Sequence, residues 1–150
     1  ITDKVAGVDI NWRWLRAGGE YEVYDSNLSP YRTARLFEYF TFDANPSTTL
    51  TLDVGQSWST FPMANRDLTT YHAIARIRMR LTSAFTFTTE GGVRFQDGEG
   101  YDQQLGTARA HVDFKSGKLA VQAGYEYEDE TYINELRLRH YFFFRAKRTF

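Results

Sequence analysis

The sequence predicts an all-β protein, an antiparallel up-and-down transmembrane β-barrel with about eight or nine strands in this chain. Residues 71–81 carry apolar side chains at Tyr71, Ala73, Ala75, Ile77 and Met79, and the positions between them hold mainly His72, Arg76, Arg78 and Arg80. A period of two is typical of a strand with two unlike faces, and about eleven residues suffice for a tilted strand to cross a bilayer. The mean hydropathy of −0.51 and the lack of a long apolar run exclude a helical membrane protein.

The same alternation recurs along the whole chain. It predicts strands at about residues 5–14, 18–25, 32–43, 48–58, 71–81, 84–96, 105–114, 118–128 and 131–145. Short connections are expected near 15–17, 44–47, 82–83 and 115–117, and longer polar ones at 25–31, 59–69 and 97–104. Short turns at one end of the strands and long loops at the other are typical of outer-membrane barrels.

Two polar residues, Glu38 and His140, interrupt the predicted apolar stripe. A charge facing lipid at the bilayer midplane costs about 2–4 kcal/mol. Either the two strands bulge there, or these residues face a neighbouring subunit, or the predicted phase is wrong.

Composition excludes several functions. The 150 residues carry a net charge of −1 and no cysteine, so neither a basic nucleic-acid surface nor thiol chemistry is expected. No nucleophile elbow, Gly-rich phosphate loop or metal motif is present. The sequence therefore predicts no enzyme, no catalytic residue, no metal site and no cofactor.

The candidate functional residues are the charged ones on the face opposite the apolar stripe. They predict a charged lumen, either a constriction that selects ions or anionic solutes or an interior filled by cross-strand ion pairs. Glu90 favours pairing with the arginines of the fifth strand, where Asp53 and Glu90 can neutralise at most two of three. The predicted pore-lining residues are Arg76, Arg78, Arg80, Glu90, Arg94, Arg109, Glu126, Glu135, Arg137 and Arg139.

Aromatic residues concentrate near the predicted strand ends. Two interfacial girdles are one interpretation, and aromatic filling of a soluble, calycin-like barrel core is the other. The predicted membrane-interface residues are Trp12, Trp14, Trp58, Tyr71, Phe114 and Tyr127.

The alternation, the two kinds of connection, the arginine-rich face and the terminal aromatic Phe150 together resemble Gram-negative outer-membrane β-barrel proteins. This resemblance is to a class and covers nearly the whole chain. It implies a location in the bacterial outer membrane, contact with the lipid bilayer, and recognition of the C-terminal strand, with Phe150 as its signal, by the barrel assembly machinery. It further implies a porin-like channel wall for passive transport of ions or small solutes. The alternative is a non-conducting barrel that anchors or sheaths a partner protein. A homo-oligomer is also compatible with this class.

The strand count bears on whether 1–150 is one barrel domain. Bacterial barrels have an even number of strands, so nine strands predict either the C-terminal segment of a larger barrel or one further N-terminal strand outside this sequence. If residues 5–14 form no wall strand, eight remain and form a complete small barrel. The difference matters, because eight strands leave an interior filled by side chains whereas sixteen or more enclose an aqueous channel.

Overall fold

The computed structural model describes residues 2–99, 102–133 and 135–148 and consists of one antiparallel sheet. A single 3₁₀ turn at Pro62–Ala64 is the only helix in the described part of the chain. The nine strands are β1 (Thr2–Trp12), β2 (Leu15–Asp25), β3 (Tyr31–Asn45), β4 (Thr48–Phe61), β5 (Arg66–Arg80), β6 (Phe85–Gly98), β7 (Gln103–Ser116), β8 (Leu119–Tyr132) and β9 (Glu135–Arg148).

Each strand pairs only with its neighbours in the chain, in the order β1 to β9. The all-β, antiparallel, up-and-down prediction is therefore confirmed. The first strand pairs with β2 along its whole length, from Thr2 opposite Asp25 to Trp12 opposite Leu15. The alternative in which residues 5–14 lie outside the sheet is wrong. Within the described residues no ladder joins β1 to β9, so these two strands form the edges of the sheet.

Eight of the nine strands are longer than predicted, and β9 has 14 residues where 15 were predicted. Strands β3 to β9 each have 14 or 15 residues, because polar residues at their ends continue the backbone ladder. The expected loop at 59–69 shrinks to 62–65, and the loop at 97–104 to 99–102. The predicted contrast between short and long connections is correspondingly weaker. Arg13, expected on the first strand, lies in the β1–β2 turn with φ 48°.

Two unlike faces extend across the whole sheet. We call the face that bears Ala75, Ile77 and Met79 the apolar face and the face that bears Arg76 and Arg78 the charged face. The pairing of the strands keeps each set of residues on its own face. Ile77 lies opposite Leu50 and Thr89, whereas Arg76 lies opposite Thr51 and Glu90. Residues directly opposite one another in antiparallel strands share a face, so the assignment passes from strand to strand.

The phase of the alternation is correct at both polar interruptions. The only register shift among the described pairs lies between Asp43 and Asn45, next to the β3–β4 turn. Glu38 pairs with Ala17 and Val54, and His140 pairs with Tyr127, all in regular register. Both polar residues therefore lie on the apolar face, and neither a bulge nor a phase error accounts for them.

The sheet has no hydrophobic core. No hydrophobic residue in the described segments is buried, and Val8, Ile10 and Phe142 are 72%, 68% and 85% exposed on the apolar face. The chain exposes 10818 Å², against about 7,900 Å² expected for a globular protein of 17.4 kDa. The side chains that a soluble domain would bury are thus left uncovered.

The charged face is the more enclosed of the two. Thr33, Gly55 and Thr88 are the buried residues of the described chain. All three lie on the charged face, since Thr33 and Gly55 share it with Arg35 and Asp53, and Thr88 is opposite Arg78. Burial of small polar residues beside exposed apolar ones is the reverse of a water-soluble sheet.

Glycines on the charged face lie beneath rings of the neighbouring strand. A Cβ on Gly18 would meet Phe37 Cζ at 2.6 Å, and one on Gly124 would meet Phe143 Cζ at 2.7 Å. Gly55 is covered in the same way by the ring of His72. These rings therefore lie flat against the backbone, and the missing side chain is what makes room for them.

We expect Gly124→Ala to destabilise the folded chain by about 1–3 kcal/mol, the usual cost of overpacking. Its Cβ would lie 2.6 Å from the backbone oxygen of Ala110 and 2.6 Å from Cβ of His111, and neither can move aside easily. The matched control is Gly91→Ala, whose Cβ has its nearest neighbour at 3.8 Å. Urea unfolding of the refolded variants measures both, and equal stabilities would contradict the close packing at Gly124.

Candidate functional site

All ten predicted pore-lining residues lie on the charged face. Arg76 is opposite Glu90, Glu90 is opposite Arg109, and Arg109 is opposite Glu126, so the face assignment carries through β5 to β8. On β9, Arg139 is opposite Glu128. The remaining members share the strands and the parity of these: Arg78, Arg80, Arg94, Glu135 and Arg137.

A row of alternating charge crosses four strands. Arg76 donates from Nε to Glu90 Oε2 at 2.6 Å, and Arg109 Nε lies 2.8 Å from Glu126 Oε1. The Arg109 contact is a close ion pair without an aligned hydrogen bond, since its Nε has no partner of good geometry. Opposite charges directly across a ladder each contribute a fraction of a kcal/mol. The row therefore aligns the strands and offsets most of the charge it carries.

A second set of ion pairs lies towards the β8–β9 edge. Arg139 contacts Glu128 at 3.3 Å and Glu130 at 3.7 Å, and Arg137 contacts Glu135 on its own strand at 3.2 Å. The hypothesis that cross-strand pairing accounts for many of the charged residues is confirmed for Arg139, Glu128 and Glu130, whereas the contact of Arg137 with Glu135 lies within β9.

A third network joins β2 to β3. Arg35 donates to Glu20 and Glu22 at 3.0 Å each, and the Tyr31 hydroxyl donates to Glu22 at 2.5 Å. The carboxylate of Glu22 is only 12% exposed, so it is the most enclosed acid of the network. Charge-assisted hydrogen bonds of this kind offset the loss of water around a carboxylate.

The three arginines of β5 have unlike surroundings. Arg76 pairs with Glu90, and Arg80 donates to the backbone oxygen of Pro46 at 3.3 Å. Arg78 makes no ion pair or hydrogen bond with any described residue. Asp53, which the sequence suggested as a partner for an arginine, instead lies 3.4 Å from Nε2 of His72. Arg78 and Arg80 are thus left without an acidic partner among the described residues, and of the three only Arg78 makes neither an ion pair nor a hydrogen bond.

A cavity of about 480 Å³ lies over this part of the charged face. Five consecutive strands contribute to it, which requires the sheet to curve towards the charged side, because neighbouring strands lie about 4.8 Å apart. Its lining comprises Tyr39, Thr41, Thr49, Thr51, Arg76, Arg78, Thr88, Glu90, Arg109, His111 and Asp113. The lining is entirely polar or charged apart from the tyrosine ring.

Four of the six predicted interface aromatics lie near strand ends, whereas Tyr71 and Tyr127 lie closer to the middle of their strands. Trp12 and Phe114 lie near the end that holds the β1–β2 turn, as does Trp14 in that turn, and Trp14 stacks on Phe40 at 5.9 Å. Trp58, Tyr71 and Tyr127 lie in the other half of their strands. Except for Trp14, all are on the apolar face by register.

His140 is satisfied within the apolar face. The Tyr125 hydroxyl lies 2.6 Å from Nδ1 of His140, and the Tyr127 ring centre lies 5.3 Å from the imidazole. This cluster supplies the polar contact that the apolar surroundings do not. Glu38 has no such partner among the described residues and stays exposed.

Aromatic rings on the charged face were missed in the sequence. Phe143 lies between Arg109 and Arg145, whose guanidinium carbons are 5.2 Å and 5.3 Å from its ring centre. Phe37 meets Arg16 at 5.7 Å. Strict parity along β3 and β9 places both phenylalanines with the charged residues, and this parity was the signal available for them.

Comparison with protein-family models, with curated protein sequences and with solved structures gives no match to the chain. Among the described residues no cluster of three or more metal-ligating side chains occurs, and no helix is long and apolar enough to cross a membrane. Phe150, the predicted assembly signal, lies outside the described residues. The function must therefore be inferred from the geometry of the two faces.

We expect a double-mutant cycle of Arg76→Gln and Glu90→Gln to give a coupling energy of about 0.5 kcal/mol at low salt. The coupling should largely disappear at 1 M salt, where the Debye length is about 3 Å. The control cycle combines Glu90→Gln with Arg94→Gln, which removes an arginine four residues along the same strand, about 13 Å away. Urea unfolding gives both energies, and equal couplings would count against a specific Arg76–Glu90 pair.

Proposed function

We propose that this chain forms the wall of a transmembrane β-barrel in the outer membrane of a Gram-negative bacterium. In this arrangement the apolar face contacts lipid and the charged face lines an aqueous lumen through which ions or small solutes pass passively. One observation carries the proposal. Most of the exposed large apolar side chains of the strands lie on one face of the sheet, and nothing in the described chain covers them.

The energetics favour lipid as the covering medium. Apolar surface left in water costs about 25 cal/mol per Å², and soluble proteins rarely expose apolar patches beyond several hundred Å². The apolar face spans all nine strands and greatly exceeds such a patch. A soluble calycin-like barrel would bury these side chains inside, but Leu50 and Val121 are half-buried and Leu138 is 52% exposed.

Strand length agrees with this proposal. A strand of 14 residues is about 45 Å long at 3.3 Å per residue. Tilted by about 45°, it spans about 32 Å along the membrane normal, close to the hydrocarbon thickness of about 30 Å. Aromatic residues near both ends of the strands, Trp12 at one end and Trp58 towards the other, suit the two interfaces.

The charged face suits a water-filled interior. Its ion pairs are partly exposed, with Arg76 at 49% and Glu126 at 38%, and the cavity above them is polar. Charged rings and rows are the usual selectivity elements of such pores. We keep recognition of the C-terminal strand and Phe150 by the barrel assembly machinery as part of the proposal, together with the possibility that 1–150 is a segment of a larger barrel.

We expect Ile77→Arg to weaken folding into lipid bilayers by about 1–3 kcal/mol, because Ile77, the twelfth of the 15 residues of β5, lies between the midplane, where a lipid-facing arginine costs most, and the interface, where it costs least. The matched control is Ile74→Arg on the same strand, because Ile74 lies on the charged face opposite Asp53 and Gly92. We expect a much smaller loss for this variant. Urea titration of folding into phosphatidylcholine vesicles measures both.

A larger loss for Ile74→Arg than for Ile77→Arg would reverse the assigned sidedness and overturn the membrane proposal. Equal losses would also contradict it, since the two faces would then contact the same medium.

We expect the chain, refolded and inserted into a planar bilayer, to produce stepwise ionic conductance. A lumen lined by partly exposed charges admits hydrated ions, whereas a side-chain-filled barrel does not. Stable insertion without conductance would favour the anchoring or sheathing barrel instead. A parallel insertion assay, protection of the strands from added protease, separates absence of conductance from absence of insertion.

A further inference from the structure

We propose that the cavity over β3 to β7 on the charged face binds a small oxyanion of the phosphate or carboxylate type, with Arg78 as its central ligand. This inference rests on the proposed function in that the cavity is taken to open to the aqueous lumen. It adds the class of solute that the pathway favours.

The charge balance of the cavity leaves Arg78 free for a ligand. Of the acids in the lining, Glu90 is taken by Arg76, and Asp113 accepts from Gln122 at 3.0 Å and lies 3.2 Å from His111. The third lining arginine, Arg109, is paired with Glu126 outside the cavity. Arg76 is offset by Glu90 and Arg109 by Glu126, so Arg78 is the arginine of the lining that has no acidic partner. The other lining charge outside an arginine–carboxylate pair is that of Asp113, whose oxygens contact Gln122 and His111.

The neighbours of Arg78 are suited to an oxyanion. Its cross-strand partners are Thr49 and Thr88. The Thr49 hydroxyl donates to Asp43 Oδ1 at 2.7 Å, so the lining hydroxyls left to donate to a ligand are those of Thr41, Thr51 and Thr88. A guanidinium presents a planar fork of N–H donors that matches two oxygens of a phosphate or carboxylate. Threonine hydroxyls can donate to the remaining oxygens. A bare cation would find fewer ligands here, because both lining acids already have partners.

The size of the cavity also fits. A volume of about 480 Å³ compares with about 30 Å³ for one water molecule in the liquid. An oxyanion with part of its hydration shell can therefore enter.

Arg94 provides a matched control. It lies on the same face, on β6, and makes no ion pair or hydrogen bond with any described residue. Its cross-strand neighbours are His72 and Leu105 rather than hydroxyls, and it does not line the cavity. Replacing either arginine with glutamine removes one positive charge from the charged face, so only the position of the charge differs.

The test is titration of the full chain, refolded in octyl glucoside micelles, with inorganic phosphate and detection by ³¹P NMR line broadening. Arg78→Gln should weaken phosphate binding about tenfold, as loss of a charge-assisted hydrogen-bonding group predicts. Arg94→Gln should change it less than about twofold, the effect of distant charge under screening. Far-UV circular dichroism on both variants verifies that the sheet is retained.

Equal weakening in the two variants would overturn the site, because binding would then follow total charge alone. Absence of phosphate binding by the unaltered chain would overturn it as well. The micelle measurement needs no conductance, so the two proposals can fail separately. Phosphate binding without conductance would overturn the proposed channel and support the oxyanion site. Conductance without phosphate binding would support the channel and overturn the site.

Discussion

The structure depends on a register that keeps the two-residue alternation in phase through eight strand pairings. Since successive side chains point to opposite faces, a slip of one residue in any pairing would exchange the faces of every strand beyond it. The one irregularity, between Asp43 and Asn45, lies beside a turn, where it displaces few side chains. The sidedness of Ile77 and Arg76 on β5 is therefore shared by strands far away in the sheet.

Because the two faces are separated, most charged residues lie close together on one face. Many of them form ion pairs across neighbouring strands. Arg76, Glu90, Arg109 and Glu126 alternate in sign along one row, so the repulsion expected among the β5 arginines is offset by the next strand. Arg78 has no acidic partner among the described residues. A guanidinium that lacks a counter-charge and lies beside hydroxyl groups is available for a ligand, whereas one already held in an ion pair is not, and the inferred oxyanion site rests on this difference.

Much of the fold could be predicted from the sequence, because alternation alone assigns both strand and face. All nine strands and the common face of the ten charged candidates follow from parity. Several strand ends were placed too early, since polar residues such as Ser59 and Thr60 continue a ladder without extending the apolar pattern. Partner choice could not be predicted, because it depends on the offset between strands. That offset sets Asp53 against His72 and lets Phe143 lie over Gly124.

The sequential pairing has a consequence for how the two edges could meet. Directions alternate from β1 to β9, so the first and the ninth strand run the same way. Their outer backbone donors and acceptors have no ladder partner in the described chain, and in hydrocarbon each unsatisfied group costs several kcal/mol. Direct joining would produce one parallel seam in an otherwise antiparallel cylinder. Closure of the cylinder by antiparallel pairs alone requires an odd number of additional strands between β1 and β9.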